Sequence, residues 1–191
     1  WEAQGFGTAI YVNQCYEFAP QNPHPPQLPE RVPIGVYCRE ITVPDGWQGR
    51  SIYLHIAGAK SGVYVYLNGK EVGYNEDSKN PAEFLINSYL KPGKNLLTLK
   101  MYRWSTVSYL ECQDFFRISG IERDIFLWSQ PQTAVHDFRV ISTLDDTYKN
   151  GIFRLSVDVK NTGRMAVDTR VGFELLATDG KKVATGTSIL M

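Results

Sequence analysis

The chain has 191 residues, 43% of them hydrophobic and 13% aromatic, and its 20 basic side chains balance 20 acidic ones. This length predicts one domain, or one domain and part of a second, and the apolar fraction argues against wholesale disorder. Zero net charge argues against nucleic acid or an acidic membrane as the main partner, because both reward a basic excess. No apolar run approaches the roughly 20 residues of a membrane span. Localisation stays open, since the sequence starts at Trp1 and is compatible with a removed leader.

Cysteines and histidines are few and dispersed. They are Cys15, Cys38, Cys112, His24, His55 and His136. Disulfide frameworks use even sets of cysteines, and metal sites use clustered ligands. The spacing therefore predicts isolated packing or surface residues.

Short β-type runs separated by turn residues dominate the first two thirds of the chain. They cover residues 35–43, 51–57, 63–67, 95–102 and 124–129. Asn68–Gly69 is typical of a type I′ hairpin, in which both central residues need positive φ. Only residues 81–90 are compatible with a short helical turn. The pattern predicts an all-β fold of the sandwich or jelly-roll kind.

Residues 22–33 carry five of the ten prolines. Proline lacks a ladder donor and restricts the preceding residue, so this stretch is expected to be a stiff covering loop. A ligand for a polyproline-binding module is the alternative.

The pattern changes near residue 131. Longer strands are predicted over residues 135–143, 152–161 and 166–177, and Asp179–Gly180 opens a further hairpin. These strands are typical of an immunoglobulin-like sandwich, but such a domain takes about 100 residues. We therefore expect a first domain over residues 1–131 and a truncated second domain over residues 132–191.

Residues 102–124 interleave charged and aromatic side chains. The charged ones are Arg103, Glu111, Asp114, Arg117, Glu122, Arg123 and Asp124, and the aromatic ones include Trp104, Tyr109, Phe115 and Phe116. Rings beside carboxylates and guanidinium groups suit sugars, whose C–H faces pack on rings while their hydroxyls need donors and acceptors. A loop pinned by Arg–carboxylate pairs and aromatic plugs explains the same composition, so both interpretations stay open.

This segment, YRWS…SYLE-x-QD-x-x-R-x-SGI-x-RD, closely resembles the sugar-binding domain of the β-galactosidases of glycoside hydrolase family two. Matching stretches include Ile10–Asn13, Pro81–Phe84 and Leu90–Asn95, and the likeness spans residues 1–131. The resemblance implies an all-β chain in which a jelly-roll (galactose-binding-like) β-sandwich precedes a partial immunoglobulin-like β-sandwich. In that family a catalytic (β/α)8 barrel follows.

The resemblance also implies two substrate-binding residues. Asn13 matches an asparagine that reaches into the barrel's active site, and Asp114 matches an aspartate that contacts galactose hydroxyls and helps to hold Na⁺. A carboxylate suits both tasks, because it accepts strong hydrogen bonds and is a hard oxygen ligand. The alternatives are a turn residue for Asn13 and a partner of Arg117 for Asp114. Cys112 replaces an aspartate that is common in relatives, which removes one charge beside the predicted site.

We therefore expect a non-catalytic N-terminal portion of a β-galactosidase, inactive by itself. Its partners are the β-galactoside and the missing catalytic barrel, with no nucleic acid or membrane, and the intact enzyme is expected to be a homo-oligomer. Retaining glycosidases need two carboxyl groups about 5–5.5 Å apart. In the family these lie on the barrel, so Glu111 and Asp114 are not assigned as a catalytic pair. Na⁺ at Asp114 is expected in the intact enzyme, and no cofactor in the fragment.

Three other functions remain open. The chain could be a free-standing carbohydrate-binding module, or the same domain of a β-glucuronidase or β-mannosidase. Residues 108–111 followed by Gln113–Asp114 favour a galactosidase over the latter two. A purely structural domain that uses neither Asn13 nor Asp114 is the third alternative.

Overall fold

The computed structural model describes residues 2–5, 16–19, 22–111, 113–114 and 116–190. These residues form two compact units, one within residues 1–48 and 52–129 and the other within residues 49–51 and 130–191. A domain boundary at residue 131 stays a prediction of the sequence. The predicted all-β fold is confirmed, because the described helical elements are four 3-10 turns of three or four residues. None of these turns is long or apolar enough to cross a membrane.

The strands follow one another in the order expected from the alternation of β-formers and turn residues. Their bounds are β1 Ile34–Thr42, β2 Ser51–Ile56, β3 Ala59–Lys60, β4 Gly62–Leu67, β5 Lys70–Asn75, β6 Ala82–Leu85, β7 Lys94–Tyr102, β8 Gly120–Ile121, β9 Ile125–Gln130, β10 Thr133–Leu144, β11 Gly151–Asn161, β12 Thr169–Leu176 and β13 Lys182–Leu190. The 3-10 turns are Glu2–Gln4, Asp45–Trp47, Asn87–Tyr89 and Thr106–Tyr109.

Two antiparallel sheets and a short ribbon build the first unit. One sheet has the strand order β1-β7-β4-β5 and the other has the order β6-β2-β9. The ribbon pairs β3 with β8, with Lys60 opposite Gly120. The ribbon therefore pairs the end of the β7–β8 connection with β3. This connection lies within residues 102–124, where the sequence interleaves charged and aromatic side chains.

The core of the first unit is made of alternate residues from its central strands. It includes Ile52, Leu54, Ile56, Val63, Val65, Leu67, Leu97, Leu99 and Met101, each at most 7% exposed. Side chains alternate between the two faces of a strand, so a run of period two buries one face of each sheet. Each aliphatic side chain of this size stabilises the fold by about 1.5–3 kcal/mol when fully buried.

The β4–β5 hairpin confirms the prediction made from Asn68–Gly69. Both residues have positive φ, 54° and 79°, as a type I′ turn requires. Leu67 and Lys70 are opposite each other at the end of the ladder. The Asn68 side chain also donates to Asn95 Oδ1 at 2.8 Å, so this turn is tied to the start of β7.

Residues 81–90 contain more than the short turn that was predicted. The 3-10 turn is present at Asn87–Tyr89, but Ala82–Leu85 is a strand. The strand forms because β2 provides an antiparallel partner, with Glu83 opposite His55.

The third long strand of the second unit starts at Thr169, later than predicted.

The second unit consists of two antiparallel hairpins, β10–β11 and β12–β13. A bulge interrupts the first ladder between Val135 and Asp137. The rings of Phe153 and Phe173 lie 6.2 Å apart and connect the two hairpins. Asp145 organises the β10–β11 turn by accepting hydrogen bonds from Thr147 and Asn150.

Candidate functional site

The candidate site is built on the long connection between β7 and β8. The 3-10 turn Thr106–Tyr109 interrupts this connection, and Ser108 Oγ accepts a hydrogen bond from the Ser105 backbone N–H at 3.0 Å. Tyr109 is 6% exposed, and its hydroxyl donates to the Gln27 carbonyl at 2.5 Å. The proline-rich segment is thereby tied to the connection, as expected of a covering loop.

Residues 111–117, here called the Asp114 loop, are closed at their base. The Arg117 side chain is 3% exposed, and its Nη1 donates to the Glu111 carbonyl at 3.4 Å. Glu111 Oε1 accepts the backbone N–H of Ser78 at 2.9 Å. These contacts fix both ends of the loop against the first unit.

Glu17, which lies far away in the sequence, joins this base. Its Oε1 accepts a hydrogen bond from Trp104 Nε1 at 3.1 Å, and its Oε2 lies 3.6 Å from Arg117 Nε. The neighbouring Phe18 ring packs against Trp104 and Tyr109, with centroids 5.6 and 5.1 Å apart. Aromatic packing and a charged contact therefore anchor the same base.

A cluster of charges lies beside the β3–β8 ribbon. Burial lowers the pKa of Lys60, the positive charge of Lys79 lowers it further, and the negative charge of Glu122 opposes them. Lys79 Nζ lies 2.5 Å from Glu122 Oε2. Arg117 and Glu111 act on Lys60 as well, so the base of the Asp114 loop belongs to this cluster of opposite charges.

Asp114 lies at an exposed bend of the loop. Gln113 is also exposed, and Phe116 is 58% exposed. The carboxylate of Asp114 is thus presented to the surroundings of the first unit. Asn13, the other predicted substrate contact, lies outside the described residues, as does Cys112.

Residues that are close together in the sequence of this connection differ in burial in the structure. Arg117 and Tyr109 are buried anchors, as the pinned-loop interpretation predicts, whereas Asp114 is exposed. Glu111 uses Oε1 to hold Ser78, and its Oε2 is buried with no hydrogen-bond partner in the described part of the chain. Glu111 and Asp114 therefore lie in different surroundings.

The first unit has a second concavity. A groove of about 520 Å³ runs along β1 and β9, and its lining combines aliphatic side chains such as Leu54 and Leu99 with the polar residues Arg39, Glu40 and Thr42. Polar groups beside an apolar surface are compatible with a small ligand. The Asp114 loop stays the candidate site because the sequence resemblance implies a substrate contact there.

The described residues hold no preformed metal centre of the clustered kind. Among residues 2–5, 16–19, 22–111, 113–114 and 116–190, no three His, Cys, Asp or Glu side chains are grouped closely enough to hold an ion. Cys38 is exposed and free, and its Sγ lies 3.6 Å from Thr98 Oγ1. Cys15, like Cys112, lies outside the described residues.

Glu17 is the residue of this region that sequence reasoning missed. Its signal is weak, a single carboxylate between Tyr16 and Phe18. No local pattern reveals that its partners are Trp104 and Arg117.

Comparison with known proteins agrees with this fold. Residues 1–131 match the sugar binding domain of the glycosyl hydrolases of family 2. A β-galactosidase of Priestia megaterium (strain DSM 319 / IMG 1521) is 42% identical over 163 residues, which are 84% of this chain and 16% of that protein. A β-galactosidase of Halalkalibacterium halodurans is 36% identical over 186 residues, or 96% of this chain and 18% of that protein.

Solved structures share the fold at lower identity. The crystal structure of Bacteroides uniformis β-glucuronidase superposes with a TM-score of 0.75 at 21% identity, over 84% of this chain and 20% of that one. The chain spans less than a fifth of the length of the two curated β-galactosidases. The chain belongs to glycosyl hydrolase family 2, and its residues 1–131 match the sugar-binding domain of that family.

Proposed function

We propose that this chain is the N-terminal sugar-binding portion of a β-galactosidase, and that Asp114 contacts the hydroxyls of the galactoside. The supporting observation is the exposed Asp114 carboxylate on a loop with a fixed base, in a chain 42% identical to a β-galactosidase. A hydrogen bond from a sugar hydroxyl to a carboxylate contributes about 1.5–3 kcal/mol. Asn13 is proposed as the second contact, because an amide offers one acceptor and two donors in a plane.

Na⁺ is proposed to bind at the same loop in the intact enzyme. Asp114 is exposed and supplies a hard oxygen ligand of the type that such cations prefer. One carboxylate does not make a cation site by itself, so the proposal requires further oxygen ligands from the rest of the protein. Bound there, Na⁺ would add positive charge that attracts sugar hydroxyl oxygens.

Cleavage of the glycosidic bond is assigned to the part of the enzyme beyond this chain. A retaining mechanism needs two carboxyl groups that face one bond, whereas Glu111 is held by Ser78 and Asp114 is exposed. Residues 1–191 alone are therefore proposed to complete the substrate pocket and support the fold, without turnover. The catalytic barrel is the partner of this proposal, within an enzyme that assembles as a homo-oligomer.

A β-glucuronidase is the second candidate, since the solved structure described above is one. The charge of a glucuronide argues against a β-glucuronidase. A glucuronide carries a carboxylate, which an exposed aspartate such as Asp114 repels, whereas a galactoside is neutral. The higher identity to β-galactosidases supports the same choice.

The test compares substrates on the complete gene product and on residues 1–191. The complete enzyme is expected to hydrolyse o-nitrophenyl β-D-galactopyranoside with kcat/KM at least about 100-fold above that for the matching glucuronide, a margin that loss of hydrogen bonds and charge repulsion readily supplies. Residues 1–191 are expected to show no turnover. A preference for the glucuronide, or turnover by residues 1–191, would contradict the proposal.

Calorimetry separates the proposal from a free-standing carbohydrate-binding module. Titration of residues 1–191 with galactose and lactose is expected to give no saturable binding below about 1 mM, because two contacts cannot offset the entropy of association. Tighter binding would favour the module.

A further inference from the structure

We infer that Glu17 is a positioning residue, which holds the Asp114 loop in its substrate-contacting geometry through Arg117 and Trp104. This inference rests on the proposed role of Asp114 in binding a galactoside. Glu17 itself is placed at the base of the loop and not on its exposed side, so its effect on the sugar is indirect.

The geometry makes Glu17 a bridge. One carboxylate oxygen accepts from Trp104 Nε1 at 3.1 Å, at the start of the β7–β8 connection, and the other lies 3.6 Å from Arg117 Nε, after the loop. The Glu17 side chain is 15% exposed and that of Arg117 is 3% exposed. A charge contact shielded from water is stronger than the same contact at the surface.

Arg117 connects Glu17 to the other end of the Asp114 loop. Its Nη1 donates to the Glu111 carbonyl at 3.4 Å, which closes the base from one end of the loop to the other. Asp114 is three residues from either end. Loss of the Glu17 carboxylate would remove this charge contact from a buried guanidinium and weaken its placement. The base of the loop would loosen, and Asp114 with it.

The carboxylate of Glu17 is itself held in place by packing. Phe18 packs on Trp104 and Tyr109, and Tyr16 packs on Tyr109 with centroids 5.1 Å apart. The two flanking rings fix the backbone on both sides of Glu17. Such support is what gives a positioning residue a defined geometry.

Glu83 offers a matched control in the same unit. It bridges a similar pair of groups, an indole N–H and a basic ring, because its Oε1 accepts from Trp128 Nε1 at 3.0 Å and lies 2.7 Å from His55 Nδ1. Those partners lie on the β6-β2-β9 sheet, outside the β7–β8 connection. E83Q therefore makes the same chemical change as E17Q without touching the base of the Asp114 loop.

The first measurement uses residues 1–191. Hydrogen–deuterium exchange is expected to speed up by about tenfold or more in peptides covering residues 111–118 of E17Q, since local opening becomes easier. The same peptides should exchange at the wild-type rate in E83Q. Unchanged exchange in E17Q would overturn the inference. Should E17Q not fold, W104F removes the indole donor to Glu17 and is expected to give the same local acceleration, with no acceleration again overturning the inference.

The second measurement is kinetic and uses the complete gene product with o-nitrophenyl β-D-galactopyranoside. E17Q is expected to raise KM by about five- to tenfold with kcat within about twofold, because a loosened binding residue weakens binding more than chemistry. E83Q should leave KM unchanged. Adding E17Q to D114N should raise KM no further, since the loop then carries no contact to position.

The outcomes separate the inference from the proposed function. A raised KM in D114N with a normal KM in E17Q overturns the role of Glu17 and retains that of Asp114. Additive effects of E17Q and D114N also overturn it, because a general loss of stability acts independently of the loop. Wild-type kinetics in D114N overturn both the proposed role of Asp114 and the inference built on it.

Discussion

Arg117 Nη1 donates a hydrogen bond to the backbone carbonyl of Glu111 at 3.4 Å, and this contact closes the loop that carries Asp114. The donor is among the most buried charged groups described, with 3% exposure. The same short loop thus has a buried guanidinium at its base and an exposed carboxylate at its bend. Contacts hold the base, and the exposed residue is available for contact with a ligand.

Replacement of Arg117 by Met is expected to lower the free energy of unfolding by about 2 kcal/mol. The change removes hydrogen bonds to a charged group and leaves the carboxylate of Glu17 without its cation. Urea unfolding followed by tryptophan fluorescence measures the effect. R39M, at an exposed position of β1, is the control and should change stability by less than about 0.5 kcal/mol. Equal effects of the two substitutions would contradict the anchoring role.

Leu54→Ala tests the core that supports this loop. Leu54 is 1% exposed, and truncation of such a side chain costs about 3 kcal/mol through lost burial and a residual cavity. Leu96 is 50% exposed on β7, so L96A should cost less than about 1 kcal/mol. Urea midpoints at constant m value compare the two variants. A smaller effect of L54A than of L96A would show that the core is assigned wrongly.

Gly69→Ala tests the type I′ turn. Gly69 has a φ of +79°, which costs a residue with a Cβ about 1 kcal/mol. G46A is the matched control, because Gly46 lies outside the left-handed region and, apart from its neighbours along the chain, no described heavy atom lies within 4 Å of the point where an alanine Cβ would stand. Differential scanning calorimetry should give a lower Tm for G69A and a near wild-type Tm for G46A. A wild-type Tm for G69A would contradict the assigned turn.

Asp145 predicts a pH dependence in the second unit. Hydrogen bonds from Asn150 and Thr147 lower the pKa of Asp145 to about 2. A carboxyl group with a lowered pKa stabilises the folded state above its ordinary pKa of about 3.9, and this stabilisation is lost as the pH falls toward 2. D145N should therefore unfold at lower urea than the wild type at pH 7, with a difference that shrinks below about pH 4.

Urea titrations of both chains from pH 7 to pH 2 measure this difference. Asp146 is an exposed aspartate in the same turn, and D146N is the control variant. A gap between D145N and the wild type that is constant over the whole range would show that the charge of Asp145 has no part in the turn.

Much of the first unit could be predicted from residue patterns. β1, β2, β4, β7 and β9 lie within one or two residues of the predicted runs, because β-branched and aromatic residues alternate there and turn residues separate them. Asn68–Gly69 fixed its hairpin for a local reason, the need for positive φ. Local chemistry was sufficient in these cases.

What the sequence did not predict depends on partners far along the chain. Residues 82–85 form β6 because β2 is available as a neighbour, and the two-residue strands β3 and β8 exist only as a pair. The exposure of Asp114 and the burial of Arg117, three residues apart, follow from contacts with Glu17 and the first unit. No periodicity within residues 111–117 encodes that difference.

The central claim is that Asp114 contacts the galactoside, and D114N in the complete gene product tests it most directly. Loss of a charge-assisted hydrogen bond predicts a fall in kcat/KM for o-nitrophenyl β-D-galactopyranoside of at least about tenfold, with D146N unchanged. The proposed Na⁺ ligand predicts in addition that the response of KM to Na⁺, at constant ionic strength, is lost in D114N and kept in D146N. A wild-type kcat/KM in D114N would contradict the account.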